Sequence, residues 1–176
     1  KNEPFDALVS NSAGCGAALR DVDQWLPEGA GQLGGKAKDV TEFLDEVGWR
    51  EPLQSFSARV CYDDPCHLIH AQGVASAPRR LLNLIPDLEV IPHPHPDRCC
   101  GAAGTYNLLQ SEMAQSILEE KLDDLEAADP EWILTGNPGC LMQFQAGVQS
   151  RGWDAKVAHP VELLAHALAE AERESD

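Results

Sequence analysis

Short apolar segments typical of strands alternate with amphipathic helical segments along almost the whole of this chain. The first strand-like segment is DALVSN at 6–11, and the last helical segment is VELLAHALAEAERE at 161–174. Strands that alternate with helices form βαβ units, in which neighbouring strands pair in parallel. The sequence therefore predicts an α/β fold, with a parallel sheet flanked by helices.

The limits of these segments follow from hydrophobic periodicity and from the positions of glycine and proline. The longest helical pattern, at 105–128, contains an acidic stretch, EEKLDD at 119–124, that is expected to be a solvated helix face. The apolar face of that helix is expected to contain Leu108, Leu109, Met113, Ile117, Leu118 and Leu122. We expect strands at 6–11, 57–63, 88–93, 131–136 and 155–160, helices at 14–26, 38–49, 65–72, 78–85, 105–128, 138–151 and 161–174, and loops at 27–35 and 93–104.

Charge and hydropathy restrict the classes of partner. The chain has 13 Lys and Arg residues against 29 Asp and Glu residues, a net charge of −16 at pH 7. Nucleic acids and anionic membranes recruit proteins through basic patches, so neither is an expected partner. No segment approaches the roughly 18 consecutive apolar residues of a membrane span. The first residues, KNEPFDALVSNS, lack the apolar core of a signal peptide. We therefore expect a cytoplasmic protein without a membrane span.

Six cysteines indicate thiol chemistry rather than disulfide stapling. The chain is long enough and apolar enough to fold without disulfides, which favours a reducing compartment where thiols act as ligands or nucleophiles. Cys99 and Cys100 are adjacent in DRCCGAAGT, and a disulfide between neighbours would strain the peptide bond that joins them. The two thiols are therefore expected to act together on another group. Cys61, in the middle of ARVCYD, is expected to be a buried core residue.

The other cysteines follow predicted strands. Cys66 and Cys140 each come after an N-cap candidate and a proline, with Asp64 as the cap in YDDPCHL and Asn137 in TGNPGCL. Cys15 occupies a similar first helical turn after SNSAG. The carboxyl ends of parallel strands share one edge of the sheet, where ligands bind. Helix N-termini at that edge favour thiolates and anionic guests.

Four thiols that converge at this edge could hold a [4Fe–4S] cluster or a zinc ion, and their spacing alone leaves both open. Gly101 and the small residues after it would let backbone amides approach the sulfides of a cluster. Cys15 is a possible further ligand. Surface positions, or hydrogen bonds to the ligands, are expected for His67, His70, His93 and His95, and a capping or packing role for His159.

Two parts of the chain are similar to each other. DALVSNSAGCGAALRDV and EWILTGNPGCLMQFQAGV both read as a strand, a turn, Gly-Cys and a helix, with Cys15 and Cys140 at equivalent positions. We therefore expect residues 1–56 to be the C-terminal part of a first cysteine-rich repeat and residues 57–176 to be a complete second repeat, together forming one compact unit.

Four segments, CHLIHAQGV, CCGAAGTYNLLQ, GNPGC and HPVELL, resemble the C-terminal half of the iron–sulfur subunit of glycolate oxidase (glycolate dehydrogenase). That subunit is a member of the cysteine-rich CCG-domain group, together with the cysteine-rich subunit of heterodisulfide reductase. The resemblance extends over almost the whole chain. It implies a [4Fe–4S] cluster bound by the cysteines that match the motif, which are Cys66, Cys99, Cys100 and Cys140.

The resemblance also implies a function. Such a subunit is a non-flavin component of an oxidoreductase complex that carries electrons from a flavin subunit, which holds FAD and oxidises glycolate, toward a quinone-type acceptor. The isolated chain would then be inactive, and its partners could hold it at the inner face of the cytoplasmic membrane. A preceding segment with ferredoxin-type clusters and the start of the first repeat is implied as well.

One feature departs from the pattern of the group, which ends in CxxC. Cys140 is followed by Leu141, Met142 and Gln143, so the fifth cysteine is absent. A four-thiolate cubane cluster, or zinc, is therefore expected in place of a five-cysteine noncubane cluster. Two other functions use the same thiols: a zinc-stabilised structural or docking domain, and a thiol-based catalyst resembling heterodisulfide reductase, with Cys99 and Cys100 as its redox pair.

Overall fold

The computed structural model describes residues 4–26 and 33–174, with side chains up to residue 168. Helices and strands alternate through most of this range, as the sequence predicts. The strands are β1 (Leu8–Ser10), β2 (Ala37–Asp39), β3 (Ala58–Tyr62), β4 (Leu88–Val90), β5 (Trp132–Leu134) and β6 (Lys156–Ala158). The helices are α1 (Ala13–Arg20), α2 (Val22–Trp25), α3 (Leu33–Lys36), α4 (Val40–Val47), α5 (Ala77–Leu82), α6 (Tyr106–Leu109), α7 (Ser111–Ala128), α8 (Pro138–Arg151) and α9 (Pro160–Glu174), and a π-helical turn covers His67–Ala71.

Every strand pair in the described ranges is parallel, which confirms the α/β prediction. The larger sheet has the strand order β4-β3-β5-β6, and β1 pairs with β2 in a separate two-stranded sheet. The central strand β3 pairs with β4 on one side and with β5 on the other, so that Val60 lies opposite both Val90 and Trp132. Among the described helices, none has the length and hydropathy needed to cross a bilayer.

Each of the two similar segments begins a unit of strand, helix, parallel strand and helix, and the first unit has α2 and α3 inserted before its second strand. In the first, β1 leads through α1 to the parallel strand β2 and to α4; in the second, β5 leads through α8 to β6 and α9. Their second helices begin alike: Glu42 accepts a hydrogen bond from the Asp39 backbone N–H, and Glu162 accepts one from the His159 backbone N–H. The two units therefore also share a hydrogen bond from a backbone N–H to a glutamate side chain at the start of the second helix.

Strand β2 overlaps the start of the segment that the sequence assigns to a single helix at 38–49. The strand has three residues, AKD, which are too few to show an alternating pattern. The helix begins after Asp39, whose carboxylate accepts a hydrogen bond from Thr41 N at 2.8 Å while Glu42 closes a capping box. Most of the loop expected at 27–35 lies outside the described residues; its last part, from Leu33, begins helix α3.

Alternating side chains of the central strands supply cores on the two faces of the larger sheet. Val60 and Tyr62 pack on one face with Leu164 of α9, whereas Cys61 packs on the other face with Phe144 of α8. Cys61 is fully buried, which confirms its prediction as a core residue, and burial raises the pKa of its thiol to about 12.

The expected single helix at 105–128 is divided in two. The chain turns at Gln110, whose φ of −130° and ψ of 54° are not helical, so α6 does not continue the face of α7. The prediction of one apolar face is therefore wrong at its start, because Leu108 and Leu109 are 79% and 76% exposed and Met113 is exposed as well. The buried face of α7 consists of Ala114, Leu118, Lys121, Leu122 and Leu125.

Candidate metal centre

The cysteines outside the core lie where parallel strands end. Cys15 is in the first turn of α1, just after β1, and Cys66 precedes the π-helical turn that follows β3. Cys99 and Cys100 are in the loop between β4 and α6, and Cys140 is in the first turn of α8, after β5. Cys66, Cys99, Cys100 and Cys140 thus follow strands of the larger sheet and lie at the edge that the sequence indicates, whereas Cys15 follows a strand of the two-stranded sheet.

Four of these thiols are linked in series by hydrogen bonds, and we call them the thiol row: Cys66, Cys99, Cys100 and Cys140. The Cys100 and Cys140 sulfur atoms are 2.6 Å apart, and both residues are 3% exposed. Cys66 and Cys99 are half-buried, and all four are free thiols. The structure therefore brings together the four cysteines that the sequence selects.

Cys15 stands apart from the thiol row. It is exposed and lines a cavity of about 440 Å³ together with His67, Ala102 and Gly139. The cavity opens beside the thiol row, because Ala102 lies in the same loop as Cys100 and Gly139 directly precedes Cys140 at the start of α8. Cys15 is thus near the site without belonging to its hydrogen-bonded series.

The pKa values of neighbouring thiols in the row shift in opposite directions. Hydrogen bonds from Cys100 and then Cys66 lower the pKa of Cys99, and the hydrogen bond from Cys100 lowers the pKa of Cys140. The donors change in the opposite direction: hydrogen bonding to Cys99 raises the pKa of Cys66, and hydrogen bonding to Cys140 raises that of Cys100. Hydrogen bonding within the row therefore favours the thiolate form at Cys99 and Cys140 and the protonated form at Cys66 and Cys100.

Nitrogen donors outside the row also contact its sulfurs. The Gly101 backbone N–H donates to Cys99 Sγ at 3.4 Å, and the Asn137 side-chain amide donates to Cys140 Sγ at 3.6 Å. The oxygen of the same Asn137 amide accepts a hydrogen bond from Gly14 N at 3.1 Å, which ties α1 to the start of α8. Asn137 therefore links the two similar segments at the thiol row.

The residues expected to cap these helix starts do not all make cap hydrogen bonds in the structure. Ser12 caps α1 as expected, since its hydroxyl accepts a hydrogen bond from Cys15 N at 3.4 Å. Asn137 occupies the N-cap position of α8, but its side chain makes no cap hydrogen bond. Asp64 does not cap at all: Arg79 donates to both of its carboxylate oxygens at 2.7 Å. The N-cap position of Asn137 is therefore confirmed without its cap hydrogen bond, whereas the prediction for Asp64 is wrong because a partner farther along the chain binds its carboxylate.

Glycine is required at position 101 by the backbone. Gly101 has φ of +86°, and a Cβ there would lie 2.5 Å from the carbonyl oxygen of Ala114. The loop that carries Cys99 and Cys100 therefore passes directly against the start of α7.

Substitution of Gly101 by alanine is expected to destabilise the fold by roughly 2–4 kcal/mol, because unfavourable φ and an overpacked contact add together. Gly104→Ala is the matched control, since Gly104 also has positive φ, +63°, but nothing within 4 Å of its Cβ position. Urea unfolding of both variants measures the difference. Equal losses in the two variants would contradict the role of the Ala114 contact.

The histidines divide into buried and exposed groups. His159 has the predicted capping role, with Nδ1 accepting a hydrogen bond from Val161 N at 3.2 Å. His93 is buried, with its ring nitrogens 3.0 Å from Pro94 O and 3.3 Å from Tyr62 O, and burial lowers its pKa. His67 Nδ1 is 3.7 Å from Cys66 Sγ, so His67 can hydrogen-bond a member of the row. His70 is exposed, and exposed His95 is 3.0 Å from Asp124.

Lys121 is a residue of this site that sequence reasoning placed wrongly. It belongs to EEKLDD, expected to be solvated, yet it is 2% exposed and its Nζ lies 2.5 Å from Asp63 Oδ1. Helical spacing could have identified it, because position 121 comes seven residues after Ala114 and three after Leu118, both on the buried face of α7. Because lysine is charged, it was not counted among the apolar residues that define the buried face.

The donor set fits a thiolate-ligated iron–sulfur cluster. All four side chains of the row supply sulfur, and two N–H groups already point to those sulfurs, as cluster ligands require. Within 4–26 and 33–174, no three His, Cys, Asp or Glu side chains surround a point where a single metal ion could sit. The thiols contact each other in series instead.

Known proteins resemble the chain over this site and beyond it. Residues 60–145, which include the whole thiol row, match the cysteine-rich domain CCG. Lactate utilization protein A of Oceanobacillus iheyensis is 31% identical over 171 residues, which cover 93% of this chain and 69% of that protein. The chain belongs to the cysteine-rich CCG domain family.

Other members of the family are longer. The probable glycolate oxidase iron-sulfur subunit of Bacillus subtilis is 34% identical over 172 residues, covering 92% of this chain and 39% of that protein. One subunit of the fumarate reductase (CoM/CoB) of Methanothermobacter marburgensis is 31% identical over 169 residues, covering 96% of this chain and 34% of that protein. The CCG chain thus spans between a third and two fifths of the length of these two relatives.

Proposed function

We propose that this CCG chain holds a [4Fe–4S] cluster on Cys66, Cys99, Cys100 and Cys140 and serves as an electron-transfer part of a 2-hydroxy acid dehydrogenase of the glycolate type. The hydrogen-bonded series of these four thiols at the carboxyl edge of the sheet carries the proposal. The name of the B. subtilis relative supports glycolate as the substrate of the whole complex.

Within that role, a bound cluster would supply one-electron redox chemistry. The chain's own residues prepare the ligands: hydrogen bonds lower the pKa of Cys99 and of Cys140, which favours the thiolate form that binds iron. The Gly101 N–H stabilises negative charge on the Cys99 sulfur. Burial of Cys100 and Cys140 excludes water from the inner half of the site, while Cys66 and Cys99 are half-buried and closer to solvent.

The proposed partners supply the chemistry that this chain lacks. A flavin subunit with FAD would oxidise glycolate, and a quinone-type acceptor would receive the electrons, so the isolated chain would not turn over glycolate. We place the complex in the cytoplasm or at the inner face of the cytoplasmic membrane. The net charge of −16 argues against nucleic acid as a partner.

The proposal assigns residues 1–56 to a first cysteine-rich repeat and residues 57–176 to the second. The shared order of elements, from β1 to α4 and from β5 to α9, supports this division. Cys15 would then be the counterpart of Cys140 in the first repeat, which agrees with its separation from the thiol row. We therefore leave Cys15 out of the ligand set of this cluster.

Anaerobic purification, a visible spectrum, and analyses of iron, zinc and acid-labile sulfide test the proposal. We expect a brown protein with equal amounts of iron and sulfide, about four of each per chain, as a [4Fe–4S] cluster requires. A colourless protein with one zinc would overturn electron transfer in favour of a structural or docking domain. The Cys15→Ser variant is the matched control and should keep its iron.

A thiol-based catalyst is a second candidate, which the thiolate character of half-buried Cys99 favours. In that reaction two protein thiols would become one disulfide while a substrate disulfide is reduced to two thiols. Stopped-flow mixing of the metal-free protein with a small disulfide would measure it. Reaction no faster than that of an ordinary free thiol would eliminate this candidate.

A further inference from the structure

Lys121 is a buried cation next to the thiol row. Among the Lys and Arg residues in the described part of the chain, it alone is buried. Its ammonium group lies 2.5 Å from Asp63 Oδ1 and donates a hydrogen bond to the His95 carbonyl oxygen at 2.6 Å. Lysines are almost never fully buried, since removing the ammonium group from water is costly.

Lys121 lies close to two members of the thiol row, Cys99 and Cys140. Together with Cys99 it lines a small cavity of about 230 Å³ between α7 and the double-cysteine loop. It is also within electrostatic reach of Cys140. The ammonium group therefore acts on the thiol row from the side of the core.

Fold stability alone does not account for this arrangement. A buried ion pair typically contributes no more to stability than well-packed apolar residues of the same volume. The neighbours of Lys121 on α7, Leu118 and Leu122, show that apolar side chains fill this face. Asp63, its ion-pair partner, is 1% exposed as well, so the pair is removed from water together.

We propose that Lys121 raises the reduction potential of the cluster that the proposed function places on the thiol row, an inference that rests on that function. Reduction adds one electron, and hence one negative charge, to a group that four thiolates already make negative. A fixed positive charge in a poorly solvated site favours the reduced state over the oxidised state. Lys121 is thus a tuning residue that acts through charge and is not a ligand.

The test compares variants of the reconstituted protein by redox titration, after iron and sulfide analysis of each. In Lys121→Met the ratio of reduced to oxidised cluster at a fixed potential is expected to fall about tenfold, which for one electron corresponds to a midpoint about 59 mV lower. Lys121→Arg, which keeps the charge, should stay near the wild-type midpoint. Lys156→Met is the control for removing a lysine charge, because exposed Lys156 begins β6 at the opposite edge of the sheet.

Asp63→Asn keeps the test decisive if Lys121→Met does not hold a cluster. The Asp63→Asn substitution leaves the charge of Lys121 without its carboxylate partner. The cluster of this variant should therefore have a midpoint potential equal to or higher than that of the wild type, and a lower midpoint would overturn the inference. An unchanged midpoint in cluster-loaded Lys121→Met would also overturn it while leaving the proposed function intact. A wild-type chain that binds no iron would instead overturn the proposed function and the inference together.

Discussion

Replacing Cys100 with serine is expected to abolish retention of the cluster. Cys100 lies within the thiol row, hydrogen-bonded to both Cys99 and Cys140, and is 3% exposed. A serine oxygen is a poor substitute for a thiolate toward iron. We expect the variant to lose most of its iron and acid-labile sulfide and its visible absorption. In the complex that we propose, electron flow to the acceptor should stop while glycolate still reduces the flavin.

Cys61→Ser is the matched control for this substitution. Cys61 is fully buried on the same face of the sheet but belongs to the apolar core and not to the thiol row. A serine there leaves a buried hydroxyl, at a cost in stability of about 1–3 kcal/mol, but the ligand set stays complete. The folded fraction should therefore keep its iron. Full iron content in Cys100→Ser would remove Cys100 from the ligand set.

The sequence predicts the edge of the sheet at which the thiols meet, because that edge follows from the local pattern of strands and helices. Parallel strands with one connectivity place all their carboxyl ends together, so Cys66, Cys99, Cys100 and Cys140 had to approach the same edge once the alternation of elements was correct. The capping role of His159 was predictable for a similar reason, since a helix start after a strand leaves N–H groups without intrahelical partners.

Features that depend on long-range partners were not predictable. Asp64 and Asn137 have the residue types of N-caps, but Arg79 from α5 and Gly14 from α1 bind their side chains. The same limit applies to Lys121, whose partner Asp63 is 58 positions away along the chain. Residue type and spacing give the local options of a polar side chain, and tertiary structure selects among them.

Phe144→Ala is expected to weaken both the fold and the cluster site. Phe144 follows Cys140 by one turn on α8, is fully buried, and belongs to the apolar group that contains Cys100, Cys140 and Leu122. Its removal should lower the free energy of unfolding by about 3–5 kcal/mol, through lost transfer energy and the cavity left behind. That is a large part of the roughly 5–15 kcal/mol that stabilises a typical domain.

Leu164→Ala separates a local effect on the site from a global loss of stability. Leu164 is equally buried, 1% exposed, but packs on the opposite face of the sheet with Val60 and Tyr62. Its truncation should cost about 2–5 kcal/mol as well. Because the Phe144 cavity lies beneath two ligands, we expect the folded Phe144→Ala protein to release iron to a chelator faster than Leu164→Ala at matched stability. Equal release rates would show that the core beneath the thiol row supports the ligands only through overall folding.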